Sequence, residues 1–177
     1  MRNNWEAKEF EEKVIQVSRV SKKTKGGNKI GFSVLIVVGD KKGKVGVGLG
    51  KAPDVLSSIK KGVRKAKKRM ITVPLQGRTI PFSVEEKFGA ARVLLKPAPE
   101  GTGVIAGGSV RAVVEAAGVR DIVSKILGSD NPASNVYATF SALERITDIA
   151  KQKNIKLQTT AKVKEKLTEN KKSNGKS

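Results

Sequence analysis

The chain has 177 residues, 36 Lys and Arg against 16 Asp and Glu, and a formal net charge of +20. It contains no Cys and no His, which excludes disulfides, Cys/His zinc sites and Ser-His or Cys-His catalytic pairs. No apolar run approaches the ~20 residues of a membrane span, and aromatics are only 4%, too few for a sheet that stacks RNA bases.

Charge divides the chain. Residues 13–73 carry 17 Lys/Arg against 2 Asp/Glu, residues 74–150 carry 8 against 8, and residues 151–177 carry 9 against 2. Residues 1–12 are acidic, with 2 against 4. The expected organisation is an N-terminal extension (1–12), an RNA-binding domain (13–73), a neutral α+β domain (74–150) and a basic flexible tail (151–177). So lopsided a field repels itself and attracts polyanions. The start, MRNNWEAKEFEE, is polar and acidic, unlike a signal or transit peptide, and points to a cytoplasmic protein.

Residues 13–20 read as a strand, rich in β-branched residues. Residues 21–29 read as a basic, glycine-containing loop. Residues 30–38 form the clearest strand, with Ile30, Phe32, Val34, Ile36 and Val38 on one face and Leu35 and Val37 on the other. Apolar character on both faces makes it central. Asp40-Lys41-Lys42-Gly43 is a turn. The next strand sets Val45, Val47 and Leu49 on one face and only Gly46, Gly48 and Gly50 on the other. Strand glycines mark close approach of a backbone or a ligand. Pro53-Asp54 opens a helix with Val55, Ile59, Val63, Ala66 and Met70 as its apolar stripe. Lys60, Lys61, Arg64, Lys65, Lys67, Lys68 and Arg69 fill the remainder. No acid follows Asp54 before Glu85, and like charges at i,i+4 repel, so this surface calls for a counter-anion.

A second unit begins near Pro74. Ile80, Phe82 and Val84 alternate, as do Ala91, Val93 and Leu95, which predicts a hairpin turning at Lys87-Phe88-Gly89. Pro97-Ala98-Pro99-Glu100 ends it. A helix from Ser109 to about Gly118 follows, then a strand over Arg120–Leu127. A last helix is capped by Asn131-Pro132, with Val136, Phe140, Leu143 and Ile146 inward. The order β-β-α-β-α makes an α+β unit with helices on one side of a sheet. Residues 154–177, rich in Lys, Asn and Ser, read as an unstructured tail with some helix near Ala161–Leu167.

Three chemical readings fail on spacing. GVGLGK at 46–51 lacks the four-residue gap and the following Ser or Thr of a phosphate loop. Gly101-Thr-Gly103-Val-Ile-Ala106 fits G-x-G-x-x-A, but Pro97 and Pro99 separate it from the preceding strand, so a tight turn is expected rather than a dinucleotide site. Glu85 and Glu86 are neighbours on a strand and point to opposite faces, so they make no acid–base pair. No catalysis and no cofactor are expected.

RNA binding is cumulative. Arg19, Lys22, Lys23, Lys25 and Lys29 flank Gly26-Gly27. Lys41, Lys42 and Lys44 stand at the next turn, and Lys51 ends the glycine strand. The helix adds Lys60, Lys61, Arg64, Lys65 and Lys68. A small sheet backed by one helix, touching phosphates and 2′-hydroxyls, is the logic of double-stranded RNA domains. About six to ten phosphate contacts would lower affinity ~10³–10⁵-fold between low and moderate salt. The competing readings are a free-standing duplex-binding architectural protein and, more remotely, an enzyme using the GTGVIA turn.

VSRVSKKTKGG (17–27), FSVLIVVGD (32–40) and GKVGVGLGKAPDV (43–55) resemble the N-terminal domain of the bacterial-type small-subunit ribosomal protein five family. LLKPAPEGTGVIAGGSVRAVVEAAGVRDIVSKILGSDNPASNV (94–136) resembles its C-terminal domain. The resemblance covers about residues 8–150. It implies a double-stranded-RNA-binding-like domain with a three-stranded antiparallel sheet and one helix, then an α+β domain with a left-handed β-α-β crossover. It also implies binding of small-subunit ribosomal RNA during assembly, neighbours in small-subunit proteins four and eight, a place beside the mRNA entry channel and an influence on decoding accuracy. Its loop, here Val20–Asn28, reaches toward the head–body hinge, and Ser21, Lys22, Lys25, Gly26 and Gly27 match it. Asn28, Lys29 and Ile30 depart from the arginine-rich and aromatic residues the family often carries there.

Overall fold

The structure, a computed structural model, describes residues 10–152; the expected N-terminal extension before Phe10 and the expected basic tail after Gln152 lie outside them. Strands β1 (Glu11–Thr24), β2 (Gly27–Gly39), β3 (Lys44–Ala52) and β4 (Met70–Thr72) form one antiparallel sheet in that order. Helix α1 (Val55–Lys68) joins β3 to β4. Strands β5 (Val84–Phe88), β6 (Ala91–Pro97), β7 (Val104–Ile105) and β8 (Ile122–Ile126) form a second sheet in the order β5-β6-β8-β7. Helices α2 (Gly108–Ala117) and α3 (Pro132–Gln152) complete this α+β architecture.

The strands of the first sheet exceed expectation in two places. The region 21–29 is not a loop. β1 and β2 stay paired through Ser21↔Ile30, Lys22↔Lys29, Lys23↔Asn28 and Thr24↔Gly27. Only Lys25 and Gly26 turn the chain, the Thr24 hydroxyl donates to the Gly27 carbonyl at 2.8 Å, and Gly27 takes φ 125°. The exposed end of this hairpin hid its strand character because it lacks an apolar face. β4 is the other addition. Met70, expected on the helix, lies on it instead and pairs with Gly46.

The glycine face of β3 receives α1. A Cβ on Gly46, Gly48 or Gly50 would collide with the backbone carbonyls of Ala66, Gly62 or Ser58. The buried side of the helix is therefore Ser58, Gly62 and Ala66 rather than the larger apolar stripe. Ile59 and Val63 are half-buried on its flank. The Ser58 hydroxyl crosses to the Phe32 carbonyl at 3.0 Å, and the Asp54 side chain caps the helix by accepting from the Ser57 N–H. The close approach read from the glycines is thus to a helix, not to a ligand.

The opposite face of the first sheet faces the second unit. Leu35, Val37, Val45 and Val47 share one buried cluster with Val93, Leu95 and Ile122 of the second sheet and with Val113, Leu143 and Ile146 of α2 and α3. The β2–β3 turn is tied into this arrangement. Asp40 Oδ1 accepts from the Lys42 and Lys44 N–H groups. The Lys41 and Gly43 N–H groups donate to the Ala116 and Ala117 carbonyls, satisfying the C-terminal end of α2. Gly118, at φ 89°, leaves no room for a Cβ against the Lys41 carbonyl. In the second unit β7 and β8 are parallel and joined through α2. Ile80 and Phe82, expected on a strand, precede β5 in irregular backbone.

Candidate nucleic-acid interface

The sequence-predicted residues fall into three groups. Arg19, Ser21, Lys22, Lys23, Lys25, Gly26, Gly27, Asn28 and Lys29 lie on the far half of the β1–β2 hairpin, all exposed. This arm projects beyond the covered part of the sheet, which ends near Phe32, the partner of Ala52. Across it, Lys22 faces Lys29 and Lys23 faces Asn28. Like charges directly opposite on a ladder are destabilising. Among the described residues, none of the arm's cations makes an ion pair.

The second group is α1. Lys60, Lys61, Arg64, Lys65 and Lys68 are exposed. Among the described residues, α1 makes one ion pair, Lys67 with Glu12 at 3.5 Å. The third group is the β2–β3 turn. Lys41 pairs with Glu11 and its backbone is committed to α2. Lys42 and Lys44 donate their N–H groups to Asp40, and Lys51 is exposed opposite Ser33. The structure thus separates the turn from the arm and holds it against the second unit.

Three of the eight cations of the neutral unit are in ion pairs. Arg78 pairs with Asp121, Arg92 with Glu85, and Arg145 with Glu86 at 2.7 Å. The neutral unit balances eight cations with eight acids, whereas the arm and α1 concentrate positive charge with few acids near it, which suits a polyanion.

The GTGVIA turn is spent internally. Asp121, 1% exposed, accepts from the Gly101 N–H at 3.1 Å and the Gly103 N–H at 2.9 Å through Oδ1. Its Oδ2 lies 3.0 Å from Arg78 Nε, in ionic contact but outside hydrogen-bond geometry. The donors a phosphate would need are taken by the protein's own carboxylate. Among the described residues no cluster of acidic side chains could hold a metal ion.

Residues 10–74 match the family model "Ribosomal protein S5, N-terminal domain", and residues 86–156 match "Ribosomal protein S5, C-terminal domain". "Small ribosomal subunit protein uS5" of Chloroflexus aurantiacus is 53% identical over 148 residues, covering 84% of this chain and 83% of that protein. The protein of the same name from Bartonella bacilliformis is 51% identical over 162 residues, covering 89% and 86%. The chain belongs to the ribosomal protein S5 family, whose members are structural proteins and not enzymes.

Proposed function

We propose that this structural component of the small ribosomal subunit holds the subunit's RNA through the β1–β2 arm and the exposed side of α1. The observation that carries the reading is the unbalanced positive charge of those two elements, with no acid between Lys13 and Asp40 or between Asp54 and Glu85, beside a unit with as many acids as cations. Lysines at a hairpin tip follow a phosphate backbone as mobile point charges. Gly26 and Gly27, with nothing within 4 Å of a Cβ, let a phosphate backbone come close to the hairpin turn. The division into an RNA-binding domain (13–73), a neutral domain (74–150) and flanking segments belongs to the same proposal.

The finer roles come with the family resemblance: support of assembly, a place beside the mRNA entry channel, and an influence on accuracy in the cytoplasmic ribosome. Small-subunit proteins four and eight are the proposed neighbours. Ile105, Val123 and Leu127 are exposed on the outer face of the second sheet, an apolar patch fit for a protein contact. Among the described residues no helix is long and apolar enough to cross a membrane.

Two measurements test the reading. The protein should co-sediment with the small subunit and bind structured RNA better than duplex DNA at moderate salt; failing both overturns it. In filter binding, Lys22→Glu with Lys25→Glu should weaken RNA association while Glu85→Lys leaves it unchanged. Equal effects would remove the arm from the interface.

A further inference from the structure

Helix α1 covers only part of the sheet face on which it packs. Gly46, Gly48 and Gly50 of β3 lie under its carbonyls, the Ser58 hydroxyl reaches the Phe32 carbonyl, and Gly62 lies against Ile36. The helix therefore rests on β3 and β2. A helix of about 10–12 Å diameter spans about two strands at ~4.8 Å spacing, so β1 is left beside it. Yet β1 carries apolar residues on that face. Val14 stands opposite Ile36 and Val17 opposite Val34, and directly opposed residues share a face. Val34 and Ile36 pack with Ala66 of α1. Val14 is 43% exposed and Val17 47%. Leu56, one turn before Ile59 and Lys60 on the helix, is 68% exposed.

An open groove of about 490 Å³ runs between this flank of α1 and β1. It is lined by Glu12, Ile59 and Val63 and rimmed by Lys60, Arg64, Lys67 and Lys68. Lys67 shows what the surface accepts: its Nζ lies 5.8 Å from the Phe10 ring centroid and 3.5 Å from the Glu12 carboxylate. An aliphatic floor under a cationic rim suits an occupant that is both apolar and anionic.

Three occupants compete for such a surface. A nucleic-acid backbone uses the cations and leaves the aliphatic floor in water. A second copy of the chain carries the same charge of +20 and is repelled. A helix with an apolar stripe and acidic flanks satisfies both the floor and the rim. Val14 and Val17 are about 10 Å apart along the strand, a distance that two turns of helix match. Helices pack at about 8–10 Å between axes, which sets such a helix over β1 and completes the layer that α1 begins. We propose that the groove between α1 and β1 docks an acidic amphipathic helix of a partner protein. Its apolar stripe covers Val14, Val17 and Leu56, and its carboxylates meet Lys60, Arg64 and Lys68. The site stands apart from the β1–β2 arm and does not depend on the RNA reading.

The test titrates the full-length protein with a fluorescein-labelled synthetic peptide of about 14 residues, four turns of helix, with Leu along one stripe and Glu on both flanks. The control peptide has the same composition in permuted order, so that Leu and Glu share no face. At moderate salt the amphipathic peptide should bind roughly tenfold more tightly, the scale of burying one aliphatic side chain. Val17→Ser and Leu56→Ser should each remove that advantage. Val123→Ser, on the outer face of the second sheet, should keep it. All three side chains are exposed, so the melting transition should stay in place. Methyl resonances of Val14, Val17 and Leu56 should shift on titration while those of Val123 and Leu127 do not. Equal affinity for the two peptides would reduce the binding to charge and overturn the proposal. So would an advantage that survives both groove variants. A dimer in sedimentation that Val17→Ser dissolves would make the occupant a second copy, and ribosomal RNA binding weakened by Val17→Ser as much as peptide binding would make the strip an RNA surface; either result overturns the proposal.

Discussion

Lys22 and Lys29 face each other directly across the β1–β2 arm, on one side of the ladder. A protein selected for stability alone would not place two ammonium groups there. Replacing Lys22 by Glu converts the pair into an attractive one, and cross-strand pairs of opposite charge contribute about 0.2–1 kcal/mol. Lys22→Glu should therefore leave the free protein as stable or slightly more stable in urea, while its RNA affinity falls. A loss of stability together with affinity would mark Lys22 as a folding residue.

Gly48 lies under the Gly62 carbonyl of α1, with no space for a methyl group. Both neighbours are backbone, so neither can rotate away. Gly48→Ala should lower the unfolding free energy by about 3 kcal/mol, at the upper end of overpacking costs. Gly26→Ala, with open space and a negative φ, should shift the urea midpoint little. Equal midpoints for the two variants would contradict the close α1–β3 packing.

Asp121 is the only protein acceptor of the Gly101 and Gly103 N–H groups among the described contacts. Asp121→Ala strands both donors, at about 1–3 kcal/mol each where they stay buried. The amides of Gly101 and Gly103 should then exchange with solvent much faster than those of α2. Unchanged exchange at both would show that the turn holds its shape without the carboxylate.

Much of this fold is legible in the sequence because its signals are periodic. The two-faced β2 strand, the antiparallel β5–β6 hairpin and the inward residues of α3 all follow from apolar spacing. What spacing could not show was contact. Gly46, Gly48 and Gly50 announced a close approach, and only the fold shows that the approaching backbone is α1. That contact also redirects the helix: small Ser58, Gly62 and Ala66 are buried and the larger Ile59 and Val63 are turned aside, contrary to the stripe expected from hydrophobicity. The arm was read as a loop because exposed polar residues carry no period-2 signal, although Lys22 and Lys29 are in register. The candidate cations were all legible as charge. Their separation into an unpaired arm and helix and a turn docked on α2 depends on partners distant in sequence, such as Glu11 for Lys41.

The salt dependence of binding to small-subunit ribosomal RNA tests the central claim most directly. Each phosphate contact contributes about 0.7–0.9 to the slope of log K against log salt concentration. The Lys22→Glu, Lys25→Glu variant should bind more weakly and with a slope shallower by roughly 2. A parallel line, with the full slope kept, would contradict the assignment of the arm to the RNA backbone.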